Sequence, residues 1–371
     1  MIQLVYWMFQ DLNTQEVLSL EQTYDTYKFT QRLQEYDFYK SILIYSVVLG
    51  HTITALLIEI SPILRLHIFI RSFDMPFFAF ISGYFLKKSC RKREWYKNFL
   101  KKLTQILVPV IVWSVIYNIA IILIGIKYSL FDITHFWFLW SILACSYLVI
   151  IIDRIFQKYT LLKFFIFIAA LIATHIVTLP ANIGFLLFPF LVGFYKEDLS
   201  CKIQRYKILK PIAVVLFFIL EFFWTGQFSV WNIGCNIFAF GTPLLTGLEM
   251  CYRGIIGIFG SVVMGFMFDI IYNLRTKNES FEKIVNFIEL VGRNTLPIYI
   301  LQTFFVETFL SHFVSCIVKN VGINIFNNIQ FLNIVIVLFI ASVMLIFLYY
   351  LQILIRKIPI IGKYIFGFSA L

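Results

Sequence analysis

Long apolar stretches alternate with short polar ones along most of this 371-residue chain. A helix of about 20 apolar residues can span the roughly 30 Å of bilayer hydrocarbon. The stretches that are long enough, or nearly so, number ten: 41–58, 67–86, 103–125, 136–152, 161–178, 181–195, 209–225, 253–273, 289–313 and 329–352. This pattern predicts an all-α integral membrane protein with about ten transmembrane helices. The polar first forty residues predict no cleavable signal peptide.

Lysine and arginine are concentrated in alternate polar segments. Segment 87–102 carries eight of them and 196–210 carries five, whereas four other connecting segments carry one each: Arg65, Lys127, Arg253 and Lys319. Because these residues accumulate on the cytoplasmic side of membrane proteins, the alternation supports ten helices. It also predicts that both chain ends are cytoplasmic. We therefore divide the chain into an N-terminal extension (1–36), a membrane domain (37–355) and a cytoplasmic tail (356–371).

The composition agrees with a membrane protein, since 60% of the residues are hydrophobic and 14% are charged. The formal charge of +11 does not indicate nucleic-acid binding, because the basic residues follow the alternation of loops. The cysteines show neither a CxxC motif nor a spacing with histidine that would predict a metal site. Cys235 and Cys251 share one predicted external segment, 226–252, where they form either a disulfide or two separate thiols.

The first predicted helix carries three polar residues on one face. Lys40 and His51 are eleven residues apart, which is roughly 16 Å along a helix and almost the same angular position. Asp37 lies on the same stripe. A base near the middle of the membrane, aligned with a cation at its cytoplasmic rim, suits transfer of a group from a cytosolic donor. A lysine reaching the interface and a histidine bound to a neighbouring helix would give the same spacing.

The second predicted helix contains Arg71 and Asp74, three residues apart on one face. They form either a buried ion pair needed only for packing or part of a cavity wall. Pro76 and Gly83 can loosen this helix, and irregular backbone at membrane depth is tolerated where it lines a cavity. Isolated polar residues in other helices are interpreted as interhelical hydrogen-bonding groups: His175, Glu221, Gln302 and Glu307.

Five sequence segments, in this order, resemble motifs of the membrane acyltransferase-3 family, which O-acylates surface glycans in bacteria. YDFYKSILIYSVVLGH contains the basic residue and histidine of the family's first helix, here Lys40 and His51. FDMPFFAFISGYFLKKS resembles the second helix, and FLKKLTQILVP resembles the basic motif that opens the third. HFWFLWSIL and VGRNTLPIYIL resemble two further signatures. The resemblance runs from about Tyr36 to about Ile355.

The resemblance implies an enzyme of the bacterial plasma membrane, an O-acyltransferase that uses cytosolic acetyl-CoA and a glycan acceptor. It implies no metal and no nucleic acid. His51 would be the general base or acyl relay, because the histidine pKa of about 6.5 lies near working pH. The residues it implies are catalytic His51, Lys40 and Asp37; donor-binding Lys40, Lys101 and Lys102; and cavity-lining Arg71, Asp74, Ser82, His135, Trp137 and Tyr299.

This chain departs from the family pattern at four positions. Lys40 replaces a commoner arginine, which keeps the charge but loses bidentate phosphate geometry. Gln105 stands where the basic motif usually has a second arginine. Asp74 and Gln302 stand where many members have histidine, and neither of those histidines can be essential here. His51 is retained and is the strongest candidate for the chemistry.

A transporter of a lipid-linked or polymeric glycan is the second hypothesis. Transporters often contain internal repeats and paired broken helices, and neither is visible in this sequence. Labelled acetyl-CoA supplied to membranes containing the protein separates the two, because only an enzyme transfers the label to an acceptor.

The charge alternation generates a topology prediction. A cysteine placed at position 93 should react only with probes that enter the cytoplasm, because segment 87–102 is the most basic. Cysteines in 59–66, 126–135 and 314–328 should react with impermeant external probes. Reaction of an impermeant probe at position 93 in intact cells would contradict the predicted orientation.

Overall fold

The computed structural model describes residues 33–56, 61–92, 94–123, 134–176, 183–197, 209–224, 238, 243–277, 279–321, 330–358 and 365–367. The described residues form helices and turns without a β-strand. Most of the predicted N-terminal extension, and Cys235, lie outside them. Cys251 is exposed, and its pairing stays a prediction.

Thirteen α-helices and two π-helical segments make up most of the described chain. They are α1 (Gln34–Ala55), α2 (Ser61–Lys92), α3 (Trp95–Lys102), π1 (Leu103–Leu107), α4 (Val108–Leu123), α5 (Trp137–Ile155), α6 (Thr160–Ile176), α7 (Ile183–Phe194), α8 (Leu209–Phe223), α9 (Pro243–Asn273), α10 (Glu279–Gly292), α11 (Thr295–Gln302), π2 (Thr303–Leu310), α12 (Ser311–Val321) and α13 (Gln330–Arg356). Nine of the predicted apolar stretches each correspond to a helix or a continuous helical rod, whereas 289–313 begins at the end of α10 and is broken by a turn at 293–294 before α11. The amphipathic α10 was not predicted as a separate element.

Five described rods are long and apolar enough to cross a membrane: Trp95–Leu123, Trp137–Ile155, Leu245–Asn273, Thr295–Asn320 and Asn333–Arg356. Three shorter helices are also apolar: Thr160–Ile176, Ile183–Phe194 and Pro211–Phe223. The helices that carry the predicted site, α1 and α2, are more polar. The count of ten spans and the orientation of the chain ends therefore remain predictions.

Helix α1 is the central element, since it packs against α2, α9, α10, α11, π2 and α13. Its side chains are mostly buried, including the polar Asp37, Ser46 and Thr52. The hydroxyl groups of Ser46 and Thr52 donate to carbonyls four residues earlier in the helix. Such back-bonding satisfies a hydroxyl without a partner on another helix.

Two glycines allow α2 and α7 to touch backbone to backbone. A Cβ atom at Gly83 would clash with the Phe190 carbonyl, and a Cβ atom at Gly193 would clash with the Phe80 carbonyl. Small residues let membrane helices approach closely and gain van der Waals contact. The glycine in the F-I-S-G-Y segment is therefore explained by helix packing.

Arg253 replaces the hydrogen-bond donor that Pro76 removes from α2. Pro76 lacks an N–H group, so the Ser72 carbonyl four residues earlier has no helical donor. Arg253 Nη1 donates to that carbonyl at 3.0 Å, and its Nη2 donates to the Arg71 carbonyl. Gly257, one turn further along α9, faces the Pro76 ring. One arginine thus satisfies the backbone that the proline exposes.

The sequence prediction for Arg253 was wrong, since it counted this residue as an external loop cation. Helix α9 begins at Pro243, ten residues before the apolar stretch, and Arg253 is 5% exposed within it. The residues between Pro243 and the apolar stretch are mixed in polarity, so the hydrophobic pattern did not reveal where the helix begins. Only the hydrogen bonds to the α2 carbonyls explain why this charged residue is buried.

This arrangement predicts energetic coupling between Arg253 and Pro76. Arg253→Met should destabilise the protein, because an unsatisfied buried carbonyl costs about 1–3 kcal/mol. In a Pro76→Ala background the loss should be smaller by about 1 kcal/mol, since the introduced alanine supplies an N–H group to the Ser72 carbonyl. Thermal unfolding of the four variants in detergent measures the coupling. Strictly additive effects would contradict the role assigned to Arg253.

Candidate functional site

A network of charged side chains surrounds the first turn of α1. Lys40 Nζ lies 2.7 Å from the Asp37 carboxylate, and Arg293 Nε lies 3.6 Å from its other oxygen. Gly292 allows this approach, because a Cβ atom there would overlap the Asp37 carbonyl. Arg293 also contacts Glu289 at 3.7 Å. Asp37 therefore fixes two cations at one end of α1.

A cavity of about 400 Å³ opens beside this network. Three cationic side chains line it, Lys40, Lys102 and Arg293, together with the polar Ser82, Gln105 and Tyr299. Apolar residues complete the wall, including Phe78, Phe138 and Leu139. Clustered cations above an apolar wall suit a ligand with multiply charged anionic groups and a less polar arm.

Part of the predicted tail forms one side of this cavity. Trp113 Nε1 donates to the Ile365 carbonyl at 2.9 Å, and the Phe366 ring stacks on Trp113. Phe366 and Gly367 both line the cavity. Gly367 has φ +68° and lies so close to the Gln105 carbonyl that a Cβ atom would not fit. The tail residues 365–367 are thus packed onto π1 and α4.

The other end of α1 presents His51 to a carboxylate. His51 Nδ1 lies 2.9 Å from Glu307 Oε1. The two side chains are 18% and 28% exposed, and both can therefore meet a ligand. A carboxylate that accepts Nδ1–H leaves the lone pair on Nε2, which makes Nε2 the basic atom. This is the arrangement that general-base histidines use.

Glu307 owes its position to the π-helical segment π2. Such segments contain an extra residue per turn, change the direction of side chains, and are frequent at functional sites. Gln302 Nε2 lies 3.4 Å from Glu307 Oε1 and helps to hold the carboxylate. Thr308 bonds to the Tyr117 hydroxyl at 2.7 Å, and the Tyr117 ring packs on His135. His135 is therefore connected to the Glu307 segment through Tyr117.

His67 and Arg71 lie beside His51, against α1 at Gly50. Arg71 Nε donates to His67 Nε2 at 3.2 Å. Because arginine can only donate, the lone pair of His67 Nε2 is already used. His67 is thus a poor candidate for the base. His51, whose Nδ1 contacts Glu307, is the better candidate.

Tyr299 connects the two ends of the site. It lines the cationic cavity and also lies within electrostatic range of Glu307, Arg71 and Asp74. Asp74 is itself within such range of His51 and Arg71. The side chains of His51, Arg71, Asp74 and Glu307, which we call the His51 cluster, are therefore separated from the cavity by Tyr299.

Most of the predicted site residues fall in one of these two regions. Lys40, Lys102, Ser82 and Tyr299 line the cavity, and Asp37 holds Lys40 beside it. His51, Arg71 and Asp74 belong to the His51 cluster. Lys101 and Trp137 are not among the described residues that line the cavity.

The sequence reasoning missed the partners of these residues. Glu307 was interpreted as an interhelical hydrogen-bonding group, and its contact with His51 confirms this. The sequence did not predict that His51 would be the partner. The roles of His67 and Arg293 were also missed. His175 differs from its prediction, since Nδ1 contacts the Leu171 carbonyl of its own helix.

Comparison of the sequence with known proteins assigns this chain to a family. A sequence profile of the acyltransferase-3 family, described as an acyltransferase domain, matches residues 33–353. Nodulation protein NolL of Sinorhizobium fredii is 25% identical over 222 residues, which cover 55% of this chain and 56% of that protein. NolL of Mesorhizobium japonicum is 26% identical over 298 residues, 72% and 74% of the two chains. No solved structure matches.

Proposed function

This chain belongs to the acyltransferase-3 family, and we propose that it transfers an acetyl group from cytoplasmic acetyl-CoA to a hydroxyl group of a cell-surface glycan or its lipid-linked precursor. Family membership supports a multi-pass membrane acyltransferase over the transporter hypothesis. The proposed location is a bacterial plasma membrane, with the Lys40 end of α1 and both chain ends in the cytoplasm.

The contact between His51 and Glu307 is the observation that carries the proposal. A neutral alcohol attacks a thioester slowly unless a base removes its proton. In the proposed reaction, His51 Nε2 takes the hydroxyl proton while the oxygen bonds to the acyl carbon. The carbon–sulfur bond then breaks, and the imidazolium returns the proton to the CoA thiolate. The Glu307 carboxylate would stabilise the imidazolium, and Arg71 the negative charge on the acyl oxygen.

The cationic cavity is the proposed donor site. Lys40, Lys102 and Arg293 would bind CoA phosphates, since charge-assisted hydrogen bonds to phosphate are stronger than neutral ones. Lys101, next to Lys102, would add to the field at the cavity entrance. Because the cavity reaches Tyr299, a thioester extended from the phosphates would approach the His51 cluster. The roughly 16 Å between Lys40 and His51 is the distance the donor arm must cover.

The proposal is tested by comparing His51→Ala and Glu307→Gln in the same membranes. His51→Ala should abolish transfer of labelled acetyl to glycan, and Glu307→Gln should lower it by about 10²- to 10⁴-fold, because the amide cannot stabilise an imidazolium. His175→Ala removes another intramembrane histidine and should leave the rate near normal. Protein amount is measured by blot. A well-expressed His51→Ala variant within tenfold of wild type would remove His51 from the mechanism.

The donor site generates a separate prediction. Lys102→Ala should raise the apparent KM for acetyl-CoA at low salt by about tenfold, since a charged hydrogen bond contributes about 1.5–3 kcal/mol. Lys101→Ala should raise it less, because Lys102 lines the cavity. Lys97→Ala serves as the control, since Lys97 is exposed and contacts Glu94. A KM for acetyl-CoA that equals the wild-type value in all three variants would show that these lysines act only in topology.

A further inference from the structure

Residues of the C-terminal tail dock on one face of the helical rod formed by π1 and α4. Gln105, Pro109 and Trp113 follow one another at intervals of four residues, which places them on the same face of this rod. Gly367 packs against the Gln105 carbonyl and the Pro109 ring. Further along the same face, the Phe366 ring stacks on Trp113. The tail therefore follows a continuous stripe of the rod.

An irregular turn explains why the tail docks at this stripe. Pro109 has no N–H group, so the Gln105 carbonyl four residues earlier has no α-helical donor. Gln105 lies within the π-helical segment π1. Gly367 covers this carbonyl, and it can do so because it lacks a side chain and adopts φ +68°. Irregular backbone at membrane depth is tolerated where protein covers it, and the tail supplies that cover.

The docked residues also form a wall of the cationic cavity. Phe366 and Gly367 line the cavity together with Lys102 and Gln105. Lys102 directly precedes π1, the segment against which Gly367 packs. The acyltransferase profile ends at residue 353, so this wall comes from a segment outside the matched region. A contact that joins the tail to both the cavity and the turn after Lys102 indicates a role in ligand binding.

We propose that residues 365–367, which we call the tail strap, are part of the donor site: they close one wall of the cavity and hold π1, so that Lys102 stays directed at the phosphates of the donor. This inference rests on the proposed function. The tail strap is a positioning element and takes no part in the bond changes. Its loss should weaken binding of acetyl-CoA and leave the rate at saturating donor unchanged.

Gly367→Ala is the discriminating variant. The added Cβ atom is strained at φ +68° and clashes with the Gln105 carbonyl, so the tail strap cannot dock. The apparent KM for acetyl-CoA should rise by about tenfold, as in Lys102→Ala, because both changes weaken the same charged hydrogen bond. The double variant should therefore be little worse than either single one. Gly254→Ala is the matched control, since a Cβ atom there meets nothing within 4 Å.

Trp113→Phe is a milder variant of the same contact. It removes the N–H group that donates to the Ile365 carbonyl and keeps a ring for Phe366 to stack on. The KM for acetyl-CoA should rise less than in Gly367→Ala. Trp95→Phe is its control, because Trp95 is exposed and lies outside the residues that line the cavity.

Stabilisation by coenzyme A measures donor binding without catalysis. Coenzyme A should raise the unfolding temperature of the wild type and of His51→Ala in detergent, because a ligand stabilises the folded state that binds it. The rise should be smaller in Gly367→Ala at the same concentration, and normal in Gly254→Ala.

The other results each overturn the inference. Equal stabilisation of the wild type and Gly367→Ala would show that the tail strap does not serve the donor site. A lower KM in Gly367→Ala would mean that the tail strap competes with the donor. A fall in kcat or in unfolding temperature, with an unchanged KM, would make the tail strap structural. If coenzyme A does not stabilise the wild type and no acetyl is transferred, the proposed function fails and this inference fails with it.

Discussion

Burial of a helix that carries charged side chains, at the centre of an apolar bundle, is the constraint on which this structure depends. Helix α1 carries Asp37, Lys40 and His51, and charged groups in a membrane interior are costly unless they are paired. Asp37 meets Lys40 and Arg293, while His51 meets Glu307. The neighbouring elements α10 and π2 are thus positioned by the groups that α1 must satisfy. The same partners would serve the proposed chemistry, because they fix cations at one end of α1 and a histidine–carboxylate pair at the other.

Departures from regular helix geometry are concentrated around the site. Pro76 lies inside α2, π1 adjoins the cationic cavity, and π2 positions Glu307. At Pro76, the bonds from Arg253 to the α2 carbonyls replace the missing helical donor. Irregular backbone at membrane depth is tolerated only where protein or a cavity satisfies it.

In the proposed reaction, the donor and the acceptor would bind in separate places. Cations line one cavity, whereas the His51 cluster contains a histidine, carboxylates and Arg71, with Tyr299 between the two. A thioester arriving from the cationic side and a hydroxyl arriving from the other would meet near His51. Such positioning supplies much of the rate enhancement in two-substrate reactions.

The sequence alone determined the helical class, the approximate positions of the apolar helices and the family, and it singled out His51 as a candidate, because hydrophobic periodicity and short motifs are local properties of the chain. It also placed Lys40 and Asp37 together, since residues three apart share a helix face. Tertiary structure decided the rest. Glu307 lies 256 positions after His51, and no local pattern joins them. Arg253 resembled a loop cation until the exposed carbonyls of α2 explained its burial. Contacts between distant segments depend on how the helices pack, which the local pattern of one sequence does not specify.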